Sequence, residues 1–234
     1  MQIKALHFDV FGTVVDWRES IARKAAEVLG GRGIACDWHV FSDAWRSKYQ
    51  PAMDEIRSGR RGWTKLDVLH RENLIAVLDD FEISGVTDAD LDHLNFAWHR
   101  LDPWPDVVGG LARLKRDFTL VTLSNGNVSL MVNLARHGGL PWDAILGAEV
   151  VQAYKPEPQA YQRNAELLGL EPGECLMVAA HNGDLVAAST VGFQTAFVYR
   201  RTEYGPDQET DLVPDGDYDV VAEDFIDLAD KLGC

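Results

Sequence analysis

Cysteine is scarce in this chain of 234 residues: Cys36, Cys175 and Cys234 are odd in number and share no C-x-x-C spacing. That argues against a disulfide framework or a cysteine zinc site and fits a reducing cytoplasm. No apolar run approaches the ~18 residues of a membrane span. The N-terminal stretch up to Asp9 carries a charge and a turn signal too early for a signal peptide, so the expectation is a soluble protein that is not exported. Basic residues are also short, with 22 Lys and Arg against 37 Asp and Glu for a net charge of −15. With no Lys/Arg run able to follow a phosphate backbone, nucleic acid and anionic membrane are poor partners. The carboxylates are scattered and cluster only at 206–219 and 223–230, which reads as a solubility feature. An anionic substrate would need local positive groups.

Apolar side chains, by contrast, make up 46% of the chain, enough for one large domain or one domain with an insertion, without disulfide or metal staples. Ile3 to Val10 is a short apolar run stopped by Gly12-Thr13, which predicts a first buried strand turning sharply at its carboxyl end. From Trp17 to about Trp98 the spacing is helical, as in Ile21, Ala25, Val28 and Leu29 and again in Leu66, Leu69, Leu74, Val77 and Leu78. After Pro103-Trp104-Pro105, which forces extended backbone, the pattern alternates. It predicts helix 106–116, strand 118–123, helix 127–137, short strand 145–148, helix 157–168, strand 175–180, helix 184–191 and strand 194–199, with 200–218 a polar loop. Alternation of this kind predicts an α/β fold, a Rossmann-like parallel sheet with helices on both faces. An all-helical insertion follows its first strand. Ligands in open α/β sheets bind outside the carboxyl ends of the strands, so function should reside there.

The strand ends carry Asp9-Val10-Phe11-Gly12-Thr13, Ser124-Asn125-Gly126-Asn127 and His181-Asn182-Gly183-Asp184, and between them Lys155-Pro156 opens a helix. Asp-x-x-x-Thr after the first strand, Ser-Asn after the second, a Lys-Pro and a late Asp together resemble the haloacid dehalogenase superfamily. Its phosphatase members usually place a second Asp two residues after the first, as the acid that protonates an alkoxide leaving group. Here that residue is Phe11, and a departing halide needs no proton. The stretch from Phe8 to Trp17, the Trp45-Arg46-x-Lys48 segment and Lys155-Pro156-x-Pro158-x-x-Tyr161 are similar to the type II, L-2-haloacid dehalogenases.

The resemblance implies an α/β core over 1–15 and 99–234 and a helical cap over 16–98. It implies hydrolysis of short (S)-2-haloalkanoic acids to (R)-2-hydroxy acids through an aspartyl ester, with no cofactor and no metal, the partners being the haloacid and its halide. Exposed apolar cap helices would be compatible with a homodimer. Asp9 becomes the nucleophile, although a strand-end Asp can also merely cap a turn. Lys155 keeps Asp9 ionised in a dry crevice, and Asp184 pairs with Lys155 and orients the hydrolytic water. Ser124 and Asn125, with the amides of the following helix, hold the substrate carboxylate. Arg46 receives the halide. Phe11, Trp63 and Tyr161 wall the pocket, and Thr13 joins the substrate-binding set.

One stretch departs from the pattern. Where Ser-Ser-Asn is common before the last Asp, this chain has Ala179-Ala180-His181-Asn182-Gly183-Asp184, so the water-positioning group is either Asn182 or His181. Two rival readings remain: a magnesium-dependent phosphatase of a small phosphomonoester, disfavoured by Phe11 and the lone acid in 181–184, and a non-catalytic binding domain of the same fold.

Overall fold

β1 (Ala5–Phe8) is buried on both faces, as a central strand of a parallel sheet must be. Leu6 and Phe8 enter one core cluster, while His7 meets Phe193 in the cluster on the opposite side. The computed structural model describes residues 2–234. After β1 the chain forms β2 (Val15–Asp16) and then α1 (Trp17–Val28), α2 (Trp38–Ser47), α3 (Tyr49–Arg57), α4 (Leu66–Asp80) and α5 (Asp88–Asn95). It returns through β3 (Asp102–Pro103), which pairs antiparallel with β2. Between Trp17 and Asn95 the regular elements are helical, as the spacing predicts.

The alternating half then follows as α6 (Val107–Leu114), β4 (Thr119–Ser124), α7 (Val128–Gly138), β5 (Ala144–Gly147), α8 (Ala148–Val151), α9 (Pro158–Leu167), β6 (Cys175–Ala179), α10 (Asn182–Thr190) and β7 (Gln194–Val198). β8 (Val220–Ala222) and α11 (Phe225–Leu232) close the chain. The six-stranded sheet has the order β5-β4-β1-β6-β7-β8 with parallel pairings. Chain order reverses at β1, which lies between β4 and β6, so the binding crevice of such a sheet opens where Asp9 follows β1.

Boundaries shift by a residue or two from expectation, and besides the short β2, β3 and α8, two elements near the end of the chain go unpredicted. β8 falls between the two acidic stretches 206–219 and 223–230, and α11 overlaps the second. Asp224 caps α11 by accepting from Ile226 N and Asp227 N at 2.8 Å each. Its apolar face, Phe225, Leu228 and Ala229, is buried beneath that charge. α6 comes so close that a Cβ on Gly110 would lie 2.6 Å from the Phe225 carbonyl oxygen. The charged residues were the exposed side of an amphipathic helix.

Candidate active site

Backbone pairing fixes the first residue of the site. Asp9 N donates to Val178 O at 3.0 Å, so the chain still lies beside β6 as it leaves β1. The side chain then points into a cavity of about 450 Å³ shared with Phe11, Arg46, Asn125, Lys155, Tyr161, His181 and Asp184. Asp9 and Lys155 are each 7% exposed. Lys155 Nζ bridges the carboxylates, 2.8 Å from Asp9 Oδ1 and 2.5 Å from Asp184 Oδ2. Tyr161 Oη donates to Asp184 Oδ1 at 2.6 Å.

The electrostatics follow from this packing. Burial alone would raise the Asp9 pKa, but the Lys155 ammonium and the His181 ring outweigh it and hold the carboxyl well below the usual carboxylate range. Burial lowers the Lys155 pKa and the two carboxylates raise it, with the carboxylates prevailing. Asp184 moves upward through burial and the nearby Asp9 charge, against the pull of Lys155. Asp9 is thus the carboxylate fixed as an anion, and Asp184 is the more basic of the two.

Arg46 enters from α2. Its guanidinium carbon lies 4.1 Å from the Tyr49 ring centre and 5.5 Å from that of Trp17. Nη1 is buried with no hydrogen-bond partner among the described residues. A guanidinium held by aromatic faces, with unused donors inside a cavity, is suited to an incoming anion. Phe11 packs edge-on against Trp98 and Tyr49, at 5.8 and 6.4 Å between ring centres, and forms a rigid wall. Among the described residues no group of three or more His, Cys, Asp or Glu is placed to hold a metal ion.

Several sequence-predicted residues are placed differently from expectation. Thr13 contacts Asp9 rather than the cavity: its hydroxyl donates to Asp9 Oδ2 at 2.7 Å and accepts from Ala180 N at 2.9 Å. Ser124 is fully buried, its oxygen accepting from Gly126 N at 3.0 Å, and is absent from the cavity lining. At the start of α7, Val128 N already donates to Glu149 Oε2 at 2.7 Å, so that amide is not open to a substrate. Asn182 faces away, where its Nδ2 donates to Asp211 Oδ1 and Val213 O at 2.9 and 3.0 Å. Trp63 stacks on Tyr154 at 4.8 Å outside the lining. Of the two candidates in the departing stretch, His181 is the one at the site, with Nδ1 3.2 Å from Asp9 Oδ2 and Nε2 2.8 Å from Glu203 Oε2.

The sequence also left out residues that the fold brings in. Tyr49 and Gln50 line the cavity from the start of α3, across the break at Lys48 from Arg46 near the end of α2, so their nearness in sequence was there to be used. Arg57 lines it too and donates to the Lys155 carbonyl at 2.7 Å, tying α3 to the lysine loop. Tyr204 and Asp211 arrive from the segment read as a polar loop, which gave no local signal for them.

Among known proteins, a family described as haloacid dehalogenase-like hydrolase matches residues 3–192. The (S)-2-haloacid dehalogenase 1 of Pseudomonas sp. (strain CBS-3) is 30% identical over 201 residues, spanning 85% of each chain. The crystal structure of a defluorinating L-2-haloacid dehalogenase superposes with a TM-score of 0.97 at 48% identity, over 99% of this chain and 96% of that one. An L-2-haloacid dehalogenase from Xanthobacter autotrophicus with chloropropionic acid covalently bound superposes with a TM-score of 0.82 at 25% identity, covering 99% of this chain and 98% of that one. Among the described residues no helix is long and apolar enough to cross a membrane.

Proposed function

Because this chain belongs to the haloacid dehalogenase-like hydrolase family, we propose that its cavity takes a short (S)-2-haloalkanoic acid and hydrolyses it to the (R)-2-hydroxy acid through an ester on Asp9. Asp9 displaces halide from C2 with inversion, and the halide leaves toward the unpaired donors of Arg46. Asn125 Oδ1 accepts from Lys155 N at 2.8 Å, which turns its Nδ2 amide toward the substrate carboxylate. Asp184, the more basic carboxylate, orients the water that cleaves the ester.

One observation carries this reading. Lys155 Nζ sits between Asp9 and Asp184 in a cavity that also holds an unpaired guanidinium, while Phe11 occupies the position of a leaving-group acid. The ammonium pairs with both carboxylates, and Phe11 has no proton to give an alkoxide. We divide the chain into a core over 1–15 and 99–234 and a cap over 16–98, a division supported by the β2–β3 pair as its neck. Unpaired cysteines support a cytoplasmic location, and exposed Val40, Val68 and Ile75 support a homodimer as the assembly.

The test is a single turnover of (S)-2-chloropropionate in ¹⁸O-water with EDTA, with the protein in excess. One chloride per substrate, an unlabelled hydroxy acid and label in the Asp9 peptide are the expected results. Absence of chloride release, or its dependence on added magnesium, would reject the reading. Fully labelled product with an unlabelled Asp9 peptide would mean that water attacks C2 directly.

A further inference from the structure

The two oxygens of Asp9 are held unequally. Oδ1 takes its hydrogen bond from Lys155 Nζ at 2.8 Å, whereas Oδ2 faces both Thr13 Oγ1 at 2.7 Å and His181 Nδ1 at 3.2 Å. The Thr13 hydroxyl accepts from Ala180 N, so its single hydrogen is left for Oδ2. On the far side of the imidazole, Nε2 lies 2.8 Å from Glu203 Oε2. An ionised carboxylate can only accept, so with one at each nitrogen both nitrogens carry hydrogen and the ring is an imidazolium.

Glu203 is 1% exposed, and its other oxygen accepts from Trp17 Nε1 at 2.9 Å. Gly12, at φ +87°, makes room for it: a Cβ there would lie 2.0 Å from Glu203 Oε1. The charged and titratable groups that line the cavity with the ring are Asp9, Arg46, Tyr49, Arg57, Lys155, Tyr161, Asp184, Tyr204 and Asp211, with Glu203 behind. Burial would lower the pKa of the ring, but Glu203 and Asp9 hold it well above the ordinary value.

We propose that Oδ1 is the attacking oxygen and Oδ2 becomes the ester carbonyl, so that Thr13 and the His181 imidazolium form the oxyanion site for ester hydrolysis, with Glu203 the positioning residue that keeps the ring doubly protonated. This rests on the aspartyl-ester reading above. Attack by Oδ1 on C2 forms the ester bond and expels halide. Water then adds to Cγ, and the carbonyl electron pair moves onto Oδ2, where both donors already stand. As that pair returns, the Cγ–Oδ1 bond breaks and the hydroxy acid departs with Oδ1. One proton of the water ends on its hydroxyl and the other passes to solvent. Asp9 is again ionised, with one oxygen newly taken from water.

The experiment is rapid-quench turnover of (S)-2-chloropropionate between pH 6 and 9, with chloride and hydroxy acid followed separately. In Glu203→Gln the chloride burst should persist at about one per site, since displacement does not use the oxyanion site, and ester hydrolysis should slow by about a hundredfold at the alkaline end. Hydrolysis should recover as pH falls through the neutral range and protonates the ring, whereas the wild type should show no such step. His181→Gln should give the same burst and slow hydrolysis at every pH, which keeps the test open if Glu203→Gln does not fold. Hydrolysis at the wild-type rate in either variant, or a Glu203→Gln rate that falls as the ring protonates, would overturn the proposal. Lack of chloride release by the wild type would instead remove the aspartyl-ester reading beneath it.

Discussion

Arg46 keeps its charge without a carboxylate partner among the described residues, between the rings of Tyr49 and Trp17. Aromatic faces hold a guanidinium plane without consuming its in-plane N–H groups, and those remain available to an anion. Lysine offers the same charge on a shorter stem, without the fork or the stacking. Arg46→Lys should therefore lose more than about tenfold in kcat/KM, at least about 1.4 kcal/mol of transition-state stabilisation, measured by initial rates of chloride release. A smaller loss would move halide stabilisation to another cavity group. The identity of Arg46 was legible beside Trp45 in the sequence. Its lack of a partner was not, because the helical segment also carries Arg57, Arg60, Arg61 and Arg71, and only the fold shows each of these paired.

At the scale of elements, the segment between β7 and β8 has the greatest functional consequence and the least local pattern. It brings Glu203 to His181 and lays Tyr204 and Asp211 on the cavity. Asn182, at the start of α10, clasps it. Besides the bonds to Asp211 and Val213, its Oδ1 accepts from Asp215 N at 3.0 Å and from Tyr218 Oη at 2.9 Å. Asn182→Ala removes these bonds while keeping the backbone N–H that donates to Asp211 Oδ1 at 2.8 Å. The variant should lose about 2 kcal/mol of stability and gain exchange of the amides in 203–215. Its KM should rise more than its kcat falls, because the cavity wall loosens while Asp9 and Lys155 stay in place. Hydrogen exchange together with steady-state kinetics checks this, and unchanged protection in 203–215 would show that the clasp is redundant. The sequence placed Asn182 correctly at a strand end and misjudged its direction, since the side chain at a helix start can point to either side of the crevice.

Across the whole molecule, buried histidines set the response to acid. His7 and His70 are enclosed with no hydrogen-bond partner at either ring nitrogen among the described residues. Burial lowers their pKa values to about 4 and about 3. Each must lose its enclosure to bind a proton, so its contribution to stability is complete above the ordinary histidine pKa and is lost as pH falls toward its folded value. Between about pH 6.5 and 4 each should cost about 1.4 kcal/mol per pH unit. His181 runs the other way: its raised pKa gives stability that is full below the ordinary histidine value and is lost only as pH rises through the folded one. Urea titrations from pH 6.5 to 4.5 should show His7→Leu less acid-sensitive than wild type by about 1.4 kcal/mol per unit, and parallel slopes would reject the assignment. By itself the sequence determined the α/β alternation, the helical insertion and the placing of Asp9, Lys155 and Asp184 at strand or loop ends, because each is written in local hydrophobic period and turn chemistry. The tertiary structure alone decided that Lys155 bridges the two carboxylates, that Thr13 and His181 turn to one oxygen of Asp9, and that Glu203 stands behind the ring. Thr13 is only four residues from Asp9, but the contacts of Lys155, His181 and Glu203 join residues far apart in the chain, whose approach follows from strand order and the course of a long loop, and no local pattern encodes either.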